Sequence, residues 1–249
     1  MWTPSETDAT KTIMTRTPWG VREIQEPESH GRPPRRRRPL RALQRIAFVL
    51  LVACPPGRTA SDQAAREHGT SARASSRAAQ TEGLAAWGQI YRVLTHPRCI
   101  NCHTATNYPQ QGDDRHRHFA NVVRGVEGKG VAALQCVSCH QQVNADTTGV
   151  PGASGWHLAP LSMRWQDGDD RILSSAEVCK AVTDRSRNNG LDGPGLLKHH
   201  SEEPLVLWAF EPGRGTDGRP RTLPPLTHDQ FVDATRRWVD AGMPCPKAP

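Results

Sequence analysis

Two pentapeptides decide the reading of this chain, Cys99-Ile100-Asn101-Cys102-His103 and Cys136-Val137-Ser138-Cys139-His140. Each is Cys-x-x-Cys-His, a spacing that lets two thiols bond the two vinyl groups on one edge of a porphyrin while the next residue offers its imidazole to the iron. The pattern predicts two covalently attached c-type haems, bound through Cys99, Cys102, Cys136 and Cys139, with His103 and His140 as proximal iron ligands. A zinc ribbon also pairs Cys-x-x-Cys units, but it separates them by about 15–20 residues and has no use for a histidine directly after each. Here the pairs are separated by the longer, polar and Gly-rich stretch from His103 to Gln135, and both carry the histidine. A dithiol redox pair would sit in a βαβ pattern, which neither flank shows.

The remaining cysteines of the seven are Cys54, Cys179 and Cys245. A basic stretch from Arg35 to Arg45 precedes the apolar run Ile46–Ala53, too short to span a bilayer and long enough for the core of a signal peptide. Leu51-Val52-Ala53-Cys54 resembles the lipobox of bacterial lipoproteins, which implies lipidation at Cys54 and a periplasmic protein anchored to the membrane surface. Ordinary signal-peptidase cleavage between Ala53 and Ala60, leaving a soluble periplasmic product, is the alternative. In that exporting, oxidising context, Cys179 and Cys245 are the two cysteines left over, and they are expected to form a disulfide.

Charge follows the same division. Residues 1–54 carry ten Lys+Arg against five Asp+Glu, whereas residues 55–249 carry 22 against 20, so the formal net charge of +7 resides mostly in the leader. Haem propionates would bring the mature chain to neutrality or below, which argues against nucleic acid as a partner. Residues 55–80 are Ala, Ser, Arg and Gly with almost no large apolar side chain, the composition of a disordered tether. The expected organisation is a leader with signal peptide over 1–54, a tether over 55–80 and one dihaem domain over 81–246. The fold class expected of that domain is mainly α with extensive loops, compact, with the haems forming much of its core.

Within it, Leu84, Trp87, Ile90, Tyr91 and Leu94 recur at helical spacing, and Pro97 ends the pattern just before the first motif. Ser174-Ser-Ala-Glu177 and Thr227-His-Asp-Gln230 are capping boxes, and each predicts a helix start; Phe231, Ala234, Trp238 and Val239 supply the apolar face of the second helix. Between and after the motifs the glycines and prolines predict loops.

The sixth iron ligands have two leading candidates. His157 lies in the apolar segment Trp156-His-Leu-Ala-Pro160, and His118 precedes Phe119; fourteen residues separate His103 from His118 and sixteen separate His140 from His157. His96, three residues before Cys99, and Met163, after Pro160, come next. The choice matters because Met/His ligation raises the potential relative to two histidines.

Leu94-Thr-His-Pro-Arg-Cys99, the Gln111-Gly-Asp-Asp114 loop ending in His118, Trp156-His-Leu-Ala-Pro160 with Met163, and Leu205-Val-Leu-Trp208 together resemble a family of small exported dihaem cytochromes. The resemblance spans about residues 84–246. Some members of that family are labelled as subunits of isoquinoline 1-oxidoreductase, a molybdopterin-dependent hydroxylase. The resemblance implies an electron-transfer subunit whose redox partner is a molybdopterin and iron–sulfur dehydrogenase, and which passes electrons towards the respiratory chain. On that reading the chain is not an enzyme by itself and has no catalytic residue. The competing reading is a haem enzyme, a peroxidase or thiosulfate-type oxidoreductase, with one open iron site and a poised acid or base drawn from Asp113, Asp114 and His116.

Overall fold

A computed structural model describes residues 60–168 and 170–248, with side chains from residue 71 onward. The leader, the Ile46–Ala53 run and Cys54 lie outside the described residues. The elements described all belong to one unit, Pro56–Pro249, which is mostly helix and loop with two very small sheets.

Helix α1 (Ala60–Leu94) carries the periodic face predicted for it: Trp87, Ile90 and Leu94 are buried. It reaches further back than the composition predicts. Residues 71–82 are helical and exposed throughout, so the structure differs from the disordered tether expected up to residue 80. Ala, Arg and Gln there have high intrinsic helix propensity, and a buried face beginning at Gly83 supplies a nucleus from which the helix extends. After a break at Thr95 and His96, the single turn α2 (Pro97–Ile100) begins, with Pro97 opening it and the His96 ring accepting the Arg98 backbone N–H.

The chain then forms two antiparallel hairpins of two-residue strands. β1 (Gln110–Gln111) pairs with β2 (His116–Arg117), and β3 (Gly130–Val131) with β4 (Leu134–Gln135). Loops continue to Leu173. Helix α3 (Ser175–Thr183) opens on the Ser174/Glu177 capping box, with both reciprocal bonds made. Next come α4 (Gly193–Glu202) and α5 (Pro204–Phe210), and finally α6 (His228–Asp240), which opens on the Thr227/Gln230 capping box.

The core sits where α1 crosses α6, with α4 and α3 against them. Trp87 and Trp238 meet there at 4.9 Å between ring centroids. Each buried indole also finds an acceptor, Trp87 Nε1 donating to Ser175 Oγ at 2.9 Å and Trp238 Nε1 to the Pro244 carbonyl at 3.0 Å. A disulfide joins Cys179 on α3 to Cys245 beyond α6, with 5.6 Å between the Cα atoms. Helices thus frame the described residues at both ends, and the two pentapeptides lie between them in the chain.

Candidate haem-binding site

Both pentapeptides fold as one helical turn. The His103 N–H donates to the Cys99 carbonyl at 3.2 Å, and the His140 N–H to the Cys136 carbonyl at 3.0 Å. This turn brings the first thiol, the second thiol and the imidazole of each motif onto one side, because positions i, i+3 and i+4 are neighbours on a helix. Cys99, Cys102, Cys136 and Cys139 are all free thiols. Burial first, then the neighbouring Cys102, pushes the Cys99 thiol up to about 12. Burial, then the charge of Cys136 in the other motif, pushes Cys102 up to about 11. Such thiols are protonated at neutral pH, whereas dithiol redox chemistry depends on a depressed pKa.

The imidazole of each motif is held in the same way. His103 donates from Nδ1 to the Met163 carbonyl at 2.6 Å and stacks on Trp165, with 3.4 Å between centroids and 4° between planes. His140 donates from Nδ1 to the Pro151 carbonyl at 2.7 Å and stacks on Trp156, at 4.3 Å and 3°. A carbonyl accepts only, so in the neutral ring the proton sits on Nδ1 and Nε2 keeps its lone pair, the arrangement a metal-binding histidine needs. Burial lowers the pKa of both rings, His103 to about 3, which holds them neutral. All four supporting groups come from the single loop 149–165, whose Gly and Pro residues the sequence marks only as turns. Trp156 is in turn buttressed by Trp208 of α5, edge-on at 4.9 Å, and Trp208 Nε1 donates to Asn144 Oδ1 at 2.9 Å.

Arg124 ties this loop to the first motif. Buried among backbone carbonyls, its guanidinium donates to Thr104 O at 2.9 Å, to Thr106 O and to Ala159 O. Arg98, next to Cys99 and also buried, pairs with Asp113, while its Nε has no hydrogen-bond partner among the described residues.

The other ligand candidates fall into distinct places. His118 lies beside His140, with 5.9 Å between ring centroids, and gives its Nδ1 proton to the Phe119 carbonyl at 2.7 Å. His157 gives its Nδ1 proton to the Gly155 carbonyl at 2.6 Å, and it directly follows Trp156, the ring stacked on His140. The similar intervals after the two motifs do not by themselves make two equivalent units, because His118, which follows the first motif, stands by the imidazole of the second. His96 uses Nδ1 as the acceptor that caps α2, which puts its ring proton on Nε2. Met163 contributes its carbonyl behind His103, on the side away from Nε2, and its side chain packs against the helical core. Asp114 and His116 pair with each other at 2.6 Å on the exposed β1–β2 hairpin.

Trp165, the carbonyls of Pro151 and Met163, and Arg124 went unread in the sequence, since none belongs to a local motif. His199 carried no distinguishing signal among the histidines; only the packing of α4 brings it near His103. Comparison with protein-family models, with curated proteins and with solved structures finds no match to this chain. No helix among the described residues is long and apolar enough to cross a membrane.

Proposed function

We propose that the chain is an exported, periplasmic dihaem c-type cytochrome that transfers electrons between protein partners. The observation that carries this reading is a repeated one: a Cys-x-x-Cys-His turn with free thiols, followed by an imidazole whose Nδ1 is tied to a carbonyl and whose face is covered by tryptophan, occurs twice in one unit. Haem bound at each turn would supply one-electron chemistry at the iron. The protein's part is to fix His103 and His140, hold their protons on Nδ1 and keep water from their buried rings.

The apolar surface is distributed as this reading requires. Six of the nine large apolar side chains exposed among the described residues fall within residues 119–161, with Val126 81% and Val143 72% exposed. This concentration of exposed apolar side chains in the segments around the second motif suits a half of the molecule that two porphyrins would cover, making haem a large share of its interior. The buried guanidinium of Arg98 with its unpartnered Nε suits an incoming propionate. Lipidation at Cys54, with anchoring at the membrane surface, and a molybdopterin and iron–sulfur dehydrogenase as electron donor complete the proposal; the sequence resemblance supports the donor.

The test is expression of the full chain in a host with intact cytochrome c maturation. A pyridine haemochrome assay should give two haems per chain that acid acetone does not extract, and a molybdopterin hydroxylase with its N-heterocyclic substrate should reduce both. Fewer than two covalent haems would overturn the reading. Substrate-dependent peroxidase or thiosulfate turnover by the isolated chain, at about one per second or faster, would replace it with the enzyme reading.

A further inference from the structure

Among the described histidines, four spend Nδ1 in one way. His103, His118, His140 and His157 each donate it to a backbone carbonyl, of Met163, Phe119, Pro151 and Gly155 respectively, at 2.6 to 2.7 Å. The others differ. His96 accepts at Nδ1 from a backbone N–H, His116 pairs with Asp114, His200 meets the Thr235 hydroxyl, and His228 uses Nε2 on the His200 carbonyl. Tying Nδ1 to a carbonyl is how a protein frees Nε2 for a metal and fixes the plane of the ring.

Two of the four rings are neighbours, set edge to face. His118 and His140 are 5.9 Å apart between centroids, with 68° between planes. Two imidazoles bound in trans to one metal, each with Nε2 about 2 Å from it and the ring centre about 1 Å further out, have centroids about 6 Å apart. The measured 5.9 Å matches that separation, so the two imidazoles stand at the spacing that shared ligation of one iron requires. The position of His118 is built by its surroundings: its backbone N–H donates to the Pro109 carbonyl at 3.0 Å, directly after the β1–β2 hairpin. Ala120 and Asn121 then take left-handed backbone conformations (φ 59° and 52°) that non-glycine residues adopt only when their context imposes them.

We propose that His118 is the sixth ligand of the iron bound by His140, so that the loop leaving the first Cys-x-x-Cys-His turn caps the haem of the second. The assignment rests on the dihaem reading above. It makes the two sites interdependent, because the segment that closes the second site leaves directly from the end of the first.

The experiment uses the full chain matured with haem. The wild type should show a highly anisotropic low-spin electron paramagnetic resonance signal, as expected of near-perpendicular imidazoles. In His118→Ala, one of the two haems should turn high-spin, and added imidazole should restore it. His118→Met keeps a ligand in place should the alanine variant fail to accumulate, and it should give a sulfur-to-iron charge-transfer band and raise the potential of one haem only. Indole ¹⁵N labelling identifies the haem affected: the Trp156 resonance, stacked on His140, should move, and that of Trp165 should not. Two covalent haems that remain low-spin in His118→Ala, with no sulfur band in His118→Met, would overturn the assignment and leave the dihaem reading standing; so would a change felt at Trp165. Fewer than two covalent haems in the wild type would overturn both.

Discussion

Arg124 shows how much of the site depends on a residue with no part in the motif. It is a buried cation that spreads its donors over three carbonyls on two stretches of chain, Thr104 and Thr106 after the first motif and Ala159 in the supporting loop. Truncation strands those carbonyls, at roughly 1–3 kcal/mol for each one left dry. Arg124→Ala should therefore lose about 2–4 kcal/mol in a denaturant titration, and Arg124→Lys should recover less than half, since an ammonium cannot reach the same three acceptors as a planar fork. His200 argues about pH in the same way. Burial first, then the charges of His199, His103 and His228, lowers it from 6.5 to about 3. Between those values the unfolded chain holds a proton that the folded one refuses, so stability is undiminished above about pH 6.5 and falls as the pH drops towards 3. The slope from this one group is about 1.4 kcal/mol per pH unit. A His200→Gln variant should start less stable at pH 7, having lost the Thr235 contact, and should show a slope between pH 6.5 and 4.5 shallower by about one proton; equal slopes would place the titration elsewhere.

Among the elements, those with local signals were legible in the sequence. Both capping boxes form as read, because their bonds run only three residues along the chain. The apolar stripe of α1 and its end before Pro97 were equally visible. Helix α4 was not read, since Gly193-Pro-Gly195 resembles a turn, although Asp192 accepting the Gly195 N–H and proline in the first turn were the available start signal. The exposed half of α1 was read as a tether because composition speaks of burial and says little about propensity. These two halves of α1 should respond oppositely to substitution. A Cβ added at Gly83 would lie 2.6 Å from both Ala241 Cβ and Pro244 Cγ, atoms with no freedom to swing away. Gly83→Ala should thus destabilise the protein by about 1–3 kcal/mol from overpacking, despite alanine's better helix propensity. Ala78→Gly with Ala79→Gly, on the exposed half, should lower the helical circular dichroism and leave the melting temperature of the domain unchanged.

For the whole molecule, the two Cys-x-x-Cys-His turns were legible and their mutual arrangement was not, for one physical reason. Thioether attachment and proximal ligation need residues within five positions, whereas the stacking tryptophans, the accepting carbonyls and the His118–His140 pair depend on how loops 104–135 and 141–173 fold onto each other. Those loops have little regular structure, so the helical frame must hold them. The frame is closed by Cys179–Cys245, which spans 66 positions and encloses α4, α5 and α6. Closing a loop of that length in the unfolded chain removes entropy equivalent to about 4 kcal/mol, with native constraints commonly reducing the measured gain to about 2–4 kcal/mol. The double variant Cys179→Ala, Cys245→Ala should unfold at correspondingly lower denaturant concentration. Because both sulfurs lie in the α3–α6 half of the core and the haem thiols are distinct from them, a matured variant should still carry two haems per chain and keep its low-spin spectrum at 25 °C. Loss of haem attachment in that variant, in the same maturation-competent host, would show that the disulfide must form before the pentapeptides can be recognised, and would make the frame a precondition of the site instead of its support.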